Sequence, residues 1–119
     1  MQIPRPSDAD KEYFTSLIAG GPDVEMKPMF GNLGAFVNGN MFAGLFGSAV
    51  GIRLAEDDRN ELAMIDGTAP FGPPERAMGG YLSLPPGWRE QPRLAGEWVA
   101  RALAYVRTFP AKKKPAKKR

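Results

Sequence analysis

The chain of 119 residues contains no cysteine and no histidine. Without cysteine there is neither a disulfide framework nor a thiolate nucleophile, and without histidine the usual proton shuttle at neutral pH is missing. Most transition-metal sites go with them. Together these absences point to a protein that is not an enzyme and that carries no cofactor or metal. Long apolar runs are absent as well: none approaches the ~20 residues that a membrane-spanning helix requires, so no membrane partner is expected. The opening residues Met1-Gln2-Ile3-Pro4-Arg5 lack the charged-then-apolar order of a secretory signal, and with the missing cysteines this points to the cytoplasm. No Gly-rich turn is followed by the Lys-Ser/Thr pair or the helix start of a phosphate loop, so Gly31, Gly34, Gly39, Gly44 and Gly47 are read as hairpin glycines.

Acidic residues are missing from one place in particular. The last eight positions hold Lys112, Lys113, Lys114, Lys117, Lys118 and Arg119 and no carboxylate. They are six of the sixteen basic residues, and without them ten basic side chains face thirteen acidic ones. The net charge of +3 therefore belongs to the tail, and the remainder is mildly acidic. Alternation of Lys with Ala and Pro cannot bury a core, so residues 110–119 are expected to be disordered and residues 1–109 to form one domain.

Within that domain, Ser7 and Asp10 have the spacing of a capping box, and Tyr13, Phe14, Leu17 and Ile18 form one apolar stripe behind it. Gly20-Gly21-Pro22 stops the helix. From Met26 to Leu54, turn dipeptides punctuate short apolar runs, as in an antiparallel meander. Asn38-Gly39 suits a type I′ turn and sets Val37 opposite Asn40 and Phe36 opposite Met41. Gly47-Ser48 suits type II′ and sets Phe46 opposite Ala49, Leu45 opposite Val50 and Gly44 opposite Gly51. Strict alternation then assigns Phe36, Met41, Ala43, Leu45, Val50, Ile52 and Leu54 to a core face. The second face receives Val37, Phe42, Gly44, Phe46, Gly51 and Arg53, with two cross-strand glycines between two phenylalanines.

Asp58 and Glu61 have the spacing of an acidic capping box, and Glu56 and Asp57 complement the dipole of a short helix through Leu62, Met64 and Ile65 that ends near Gly67. This explains the acidic cluster better than a cation site does. Ala69 to Gly80 reads as a Pro/Gly-rich loop around Phe71, and Tyr81 to Leu84 as a strand stopped by Pro85-Pro86. A last helix runs from about Pro92 to Phe109, with Leu94, Trp98, Ala102, Tyr105 and Phe109 in one stripe, Val99, Leu103 and Val106 beside it, and Glu97 placed to pair with Arg101. The fold class expected is α+β: a two-layer sandwich with an antiparallel sheet.

The stretch Met29-Phe30-Gly31-Asn32-Leu33-Gly34-Ala35-Phe36-Val37-Asn38-Gly39-Asn40-Met41-Phe42-Ala43-Gly44 resembles the N-terminal domain of the TfoX (Sxy) competence regulators. The likeness continues through Ile52-Arg53-Leu54, through Met78-Gly79-Gly80-Tyr81 before Leu84-Pro85, and through the closing helix, covering roughly residues 10 to 109. It implies the order helix, three-stranded meander, helix, two strands, helix, with one of those strands near Phe71. It also implies regulators of competence genes that work with the transcription machinery and catalyse nothing. Full-length regulators of this kind carry a second helical domain, so a stand-alone single-domain member is expected here.

Three functional readings follow. The first is a protein-interaction module whose contact face is centred on Phe42, Phe46, Gly44 and Gly51, with Val37 and Arg53 alongside; its partner is an unidentified protein or a second copy of the chain in a homodimer. The alternative is that a helix covers this face. The second is weak, sequence-independent nucleic-acid binding through Lys112, Lys113, Lys114, Lys117, Lys118 and Arg119, without aromatic residues interleaved to stack on bases. The third is a small-ligand site at the Met29-Phe30-Gly31 loop, with Lys27, Met78 and Tyr81 nearby.

Overall fold

The computed structural model describes residues 5–18, 23–29, 31–72 and 77–111. The order of elements is α1 (Asp8–Leu17), β1 (Val24–Met29), β2 (Asn32–Val37), β3 (Asn40–Phe46), β4 (Ala49–Arg53), α2 (Glu56–Ala63), β5 (Ala69–Pro70), β6 (Tyr81–Ser83), a 3₁₀ turn (Pro86–Glu90) and α3 (Pro92–Arg107). The strands form one antiparallel sheet in the order β1-β2-β3-β4-β6-β5. This is the expected α+β fold, helix, meander, helix, strands and helix. The meander holds four strands rather than three, because Val24–Met29 pairs along the whole of β2. Its Pro28 and charged Glu25 and Lys27 weaken its strand signature in the sequence, and these are the features that suit an edge strand.

Both predicted turns form. Asn38 and Gly39 have φ of +52° and +83°, and Gly47 has φ of +63°, values that bend each hairpin with the sheet's own twist. Phe36 pairs with Met41 and Val37 with Asn40, while Leu45 pairs with Val50 and Gly44 with Gly51. Between the two turns, however, the register of β2 on β3 shifts at Ala35/Phe36: Ala35 faces Ala43 and Phe36 faces Met41, so Phe42 is an extra residue, a β-bulge.

One face of the sheet is covered by α3, with α1 packed on α3. Ala95, Trp98, Val99, Ala102, Leu103 and Val106 of α3 are buried against Ala43, Leu45, Val50, Ile52 and Leu54, and Phe14 and Leu17 of α1 close the layer. Burial of each large side chain stabilises the fold by ~1.5–3 kcal/mol. The Ser7–Asp10 capping box forms in full: the Asp10 amide donates to Ser7 Oγ at 3.0 Å and the Ser7 amide to Asp10 Oδ2 at 2.8 Å.

The acidic box expected at Asp58 and Glu61 does not form, since the N-cap of α2 is Ala55, which has no side-chain cap. Both carboxylates instead receive the Arg101 guanidinium of α3, at 3.3 and 3.4 Å, while that guanidinium lies 4.1 Å from the Trp98 ring centroid. Arg101 is thereby turned toward α2 rather than Glu97. Met64, expected to pack, is 86% exposed.

Candidate functional site

The bulge decides which side chains share a face. A one-residue slip moves every side chain beyond it to the opposite side of the sheet. Val37 and Phe42, assigned by alternation to the second face, are fully buried in the core with α3. Phe36 and Met41, assigned to the core, lie half-buried on the other side, where the Met41 methyl approaches Gly44. Gly44, Phe46, Gly51 and Arg53 stand on the outer face as expected, because the second hairpin lies beyond the bulge.

Covering of the outer face comes from a loop residue rather than a helix. The Phe71 ring lies flat on Gly44 and Gly51 so closely that a Cβ added at Gly51 would fall within the ring. Only glycine fits beneath it. β5 aims this ring by pairing with β6, where Ser83 Oγ donates to the Pro70 carbonyl at 3.2 Å, and the Met78 amide then donates to the Phe71 carbonyl at 2.8 Å. Phe46 meets Phe71 edge to face at 6.3 Å, and Tyr81 flanks it at 6.1 Å. The Tyr81 hydroxyl donates to the Met41 carbonyl at 3.0 Å. Burial pushes the Tyr81 phenol above its ordinary value, partly offset by Arg53, so it stays a neutral donor.

Phe71 fills the furrow at its β4 end. Toward β1 the face presents half-buried Phe36, Met41 and Phe46, and the Lys27 ammonium sits 5.0 Å from the Phe36 ring centroid. Among the described residues Glu25 is the acid paired with it, 3.9 Å from Lys27 Nζ. At the opposite rim the Arg53 guanidinium stacks on Phe109 at 4.8 Å and on Tyr81 at 5.8 Å. Asn40 Nδ2 donates to the Pro110 carbonyl at 3.0 Å. Asn40 is the cross-strand partner of the core residue Val37, so this bond holds the end of the described chain on the helix-covered side of the sheet.

The residues of the small-ligand reading do not converge. Lys27 lies on β1 and Tyr81 on β6, four strands apart, or roughly 19 Å at the usual strand spacing. Phe30 lies outside the described residues, as do the six basic residues of the tail. A cleft of about 70 Å³ opens between Tyr13, Ser48, Val50, Leu84 and Arg89. This is well below the ~300–1,000 Å³ of ordinary ligand sites, and Arg89 is already engaged with Asp10 at 2.7 Å and with the Tyr13 ring at 4.7 Å. Among the described residues no group of three acidic side chains is placed to hold a metal ion, and no helix is long and apolar enough to cross a membrane.

A single six-stranded antiparallel sheet with helices on one side and a loop-plugged glycine furrow on the other defines a small α+β module. The chain belongs to the TfoX N-terminal domain family, whose sequence profile matches residues 16–106. No individual curated protein matches it. The missed strand β1 and the plug residue Phe71 both fall within the matched span. The pairing of Gly44 with Gly51 was the available signal for Phe71, since facing glycines at mid-sheet mark a close approach by something large.

Proposed function

We propose that the protein is a non-enzymatic regulatory module, similar in role to the N-terminal domain of competence regulators, that acts on transcription by binding through its outer sheet face. The observation that carries this reading is the asymmetry of the sheet. Its inner face is covered by helices, whereas among the described residues its outer face carries no helix and keeps Phe36, Met41 and Phe46 half-buried beside the furrow that Phe71 fills. Apolar side chains gathered on an uncovered face are uncommon unless they bind something. The family and the absence of histidine and cysteine support a role without catalysis.

Replacement of the chromosomal copy by Phe46→Glu tests this. The variant protein is expected to accumulate at normal level and to change the same transcripts as deletion of the whole gene. A deletion that alters no transcript overturns the regulatory role, and a Phe46→Glu strain indistinguishable from the parent overturns the role of the face. A second reading, sequence-independent nucleic-acid binding through the tail, is favoured by the segregation of six cations into the last eight residues.

A further inference from the structure

We infer that the free edge of β1 pairs antiparallel with β1 of a second copy of the chain, with Met26 on the two-fold axis, so that two sheets join into one. This surface is distinct from the outer face, which such a dimer leaves open and doubles.

The sheet has two edges, and only one can take a further strand. β5 is two residues long and ends in Pro70, too short to template pairing. β1 extends over six residues, and among the described residues no strand lies on its outer side. Pro28 fixes which backbone groups face that side. Having no amide hydrogen, it cannot donate to β2 and takes a site whose polar groups point away from the ladder. Val24 and Met26 point the same way, because the direction alternates along an antiparallel strand. The edge therefore offers the amides and carbonyls of Val24 and Met26 and the carbonyl of Pro28.

Charge then selects the register. Outward-pointing residues must meet outward-pointing residues, so an axis that pairs most of the strand passes through Glu25, Met26 or Lys27. An axis at Glu25 sets that carboxylate against its own copy, and an axis at Lys27 does the same for the ammonium. Like charges directly opposite are destabilising. The axis at Met26 sets Glu25 of each copy opposite Lys27 of the other, at the close spacing of ~4.5 Å between Cα atoms of a non-hydrogen-bonded pair. Met26 exchanges hydrogen bonds with its own copy, and each Val24 amide donates to the Pro28 carbonyl across the axis. In one chain Glu25 and Lys27 are exposed and 3.9 Å apart, and the dimer extends them into a ladder of alternating sign.

The helical cover also thins toward this edge. α3 crosses β2, β3 and β4. Val24 and Met26 are only half-buried, although their partners on β2, Val37 and Ala35, are fully buried. Across the axis Met26 meets its own copy and Val24 meets Pro28, so pairing covers apolar surface that the helices leave open.

Sedimentation equilibrium of the full chain, up to roughly millimolar concentration, reads the association. The expected result is a monomer–dimer equilibrium that Glu25→Lys and Lys27→Glu each weaken by roughly tenfold, since either change sets like charges opposite at both pairs. An equimolar mixture of the two variants is expected to form heterodimers as strong as the parent dimer, because every facing pair is again of opposite sign. In the unaltered protein, hydrogen exchange at the Val24 and Met26 amides is expected to slow as concentration rises. That measurement stands even if a variant unfolds.

A parent that stays monomeric, a dimer indifferent to both reversals, a mixture no stronger than its folded components, or exchange at Met26 that ignores concentration each overturns the inference. Phe46→Glu is expected to leave the dimer intact. If it dissociates the dimer instead, the second copy sits on the outer face and the edge assignment falls, while the reading of that face as a binding surface stands.

Discussion

At Gly51 the constraint is a ring rather than a backbone angle. The residue lies in regular strand geometry, yet a methyl group there would occupy the position of the Phe71 ring. Gly44 is less tightly held, because an added Cβ would meet only the edge of the ring at 3.2 and 3.3 Å. Gly51→Ala is therefore expected to destabilise the protein by about 1–3 kcal/mol, as overpacking does, and Gly44→Ala by clearly less. Phe71→Ala alone removes a buried ring and costs about 3 kcal/mol or more. In the double variant Gly51→Ala/Phe71→Ala the methyl group has room, so urea denaturation should show a loss smaller than the two single losses combined by roughly 1 kcal/mol or more. Additive losses would mean that Phe71 does not sit on Gly51. The paired glycines were legible in the sequence, as was their trough. What filled it was not, because Phe71 lies in a Pro/Gly-rich loop whose local pattern says nothing about where its ring points.

Strand β3 shows how far pattern alone reaches. Its turns were legible because Asn38-Gly39 and Gly47-Ser48 have few other uses, and each hairpin pairs as those turns dictate. The strand between them, Met41 to Phe46, is apolar or glycine at every position, so alternation within it cannot be seen and a one-residue bulge leaves no trace. Four of the six residues expected on the second face consequently stand there, from Gly44 onward, and Val37 and Phe42 are exchanged with Phe36 and Met41. The bulge makes a sharp prediction. Phe42→Ala should cost about 3–5 kcal/mol as a core truncation, whereas Met41→Ala, on the half-buried outer face, should cost less than half as much in thermal or urea denaturation. The reverse order would place the register where simple alternation puts it. The acidic helix α2 is a second case: its dipole-facing carboxylates were legible, but Asp58 and Glu61 answer to Arg101 on α3, a residue forty or more positions away.

Across the whole molecule, the N-terminal segment is fastened to the C-terminal third by two ion pairs of long sequence separation. Asp10 receives Arg89 at 2.7 Å and Asp23 receives Arg107 at 2.8 Å. The Ser7 amide, then Arg89, holds the Asp10 carboxyl below its ordinary value, and Arg107 does the same for Asp23. A carboxyl lowered in the folded state binds fewer protons there than when unfolded, so its contribution is present above the unfolded pKa and is lost as pH falls through the folded one. Stability is therefore expected to hold near neutrality and to fall below about pH 4, with α1 loosening as the capping box and the Arg89 pair are protonated. The check is the urea midpoint at pH 7, 5 and 3. Asp10→Asn should show a smaller drop between pH 5 and pH 3 than the parent, and an equal drop would assign the acid sensitivity elsewhere. Such clamps join residues with no local pattern in common, which is why the helices were legible in the sequence and their fastening was not.

The seat of Pro110 has a mechanical consequence. A pull on the chain beyond Ala111 does not load α3 first. It is carried by the Asn40 amide and by the Phe109 ring wedged on Arg53, contacts that separate one at a time like a seam being unpicked. Force applied at Ala111 therefore meets these rim contacts before it reaches the layer that keeps the protein folded.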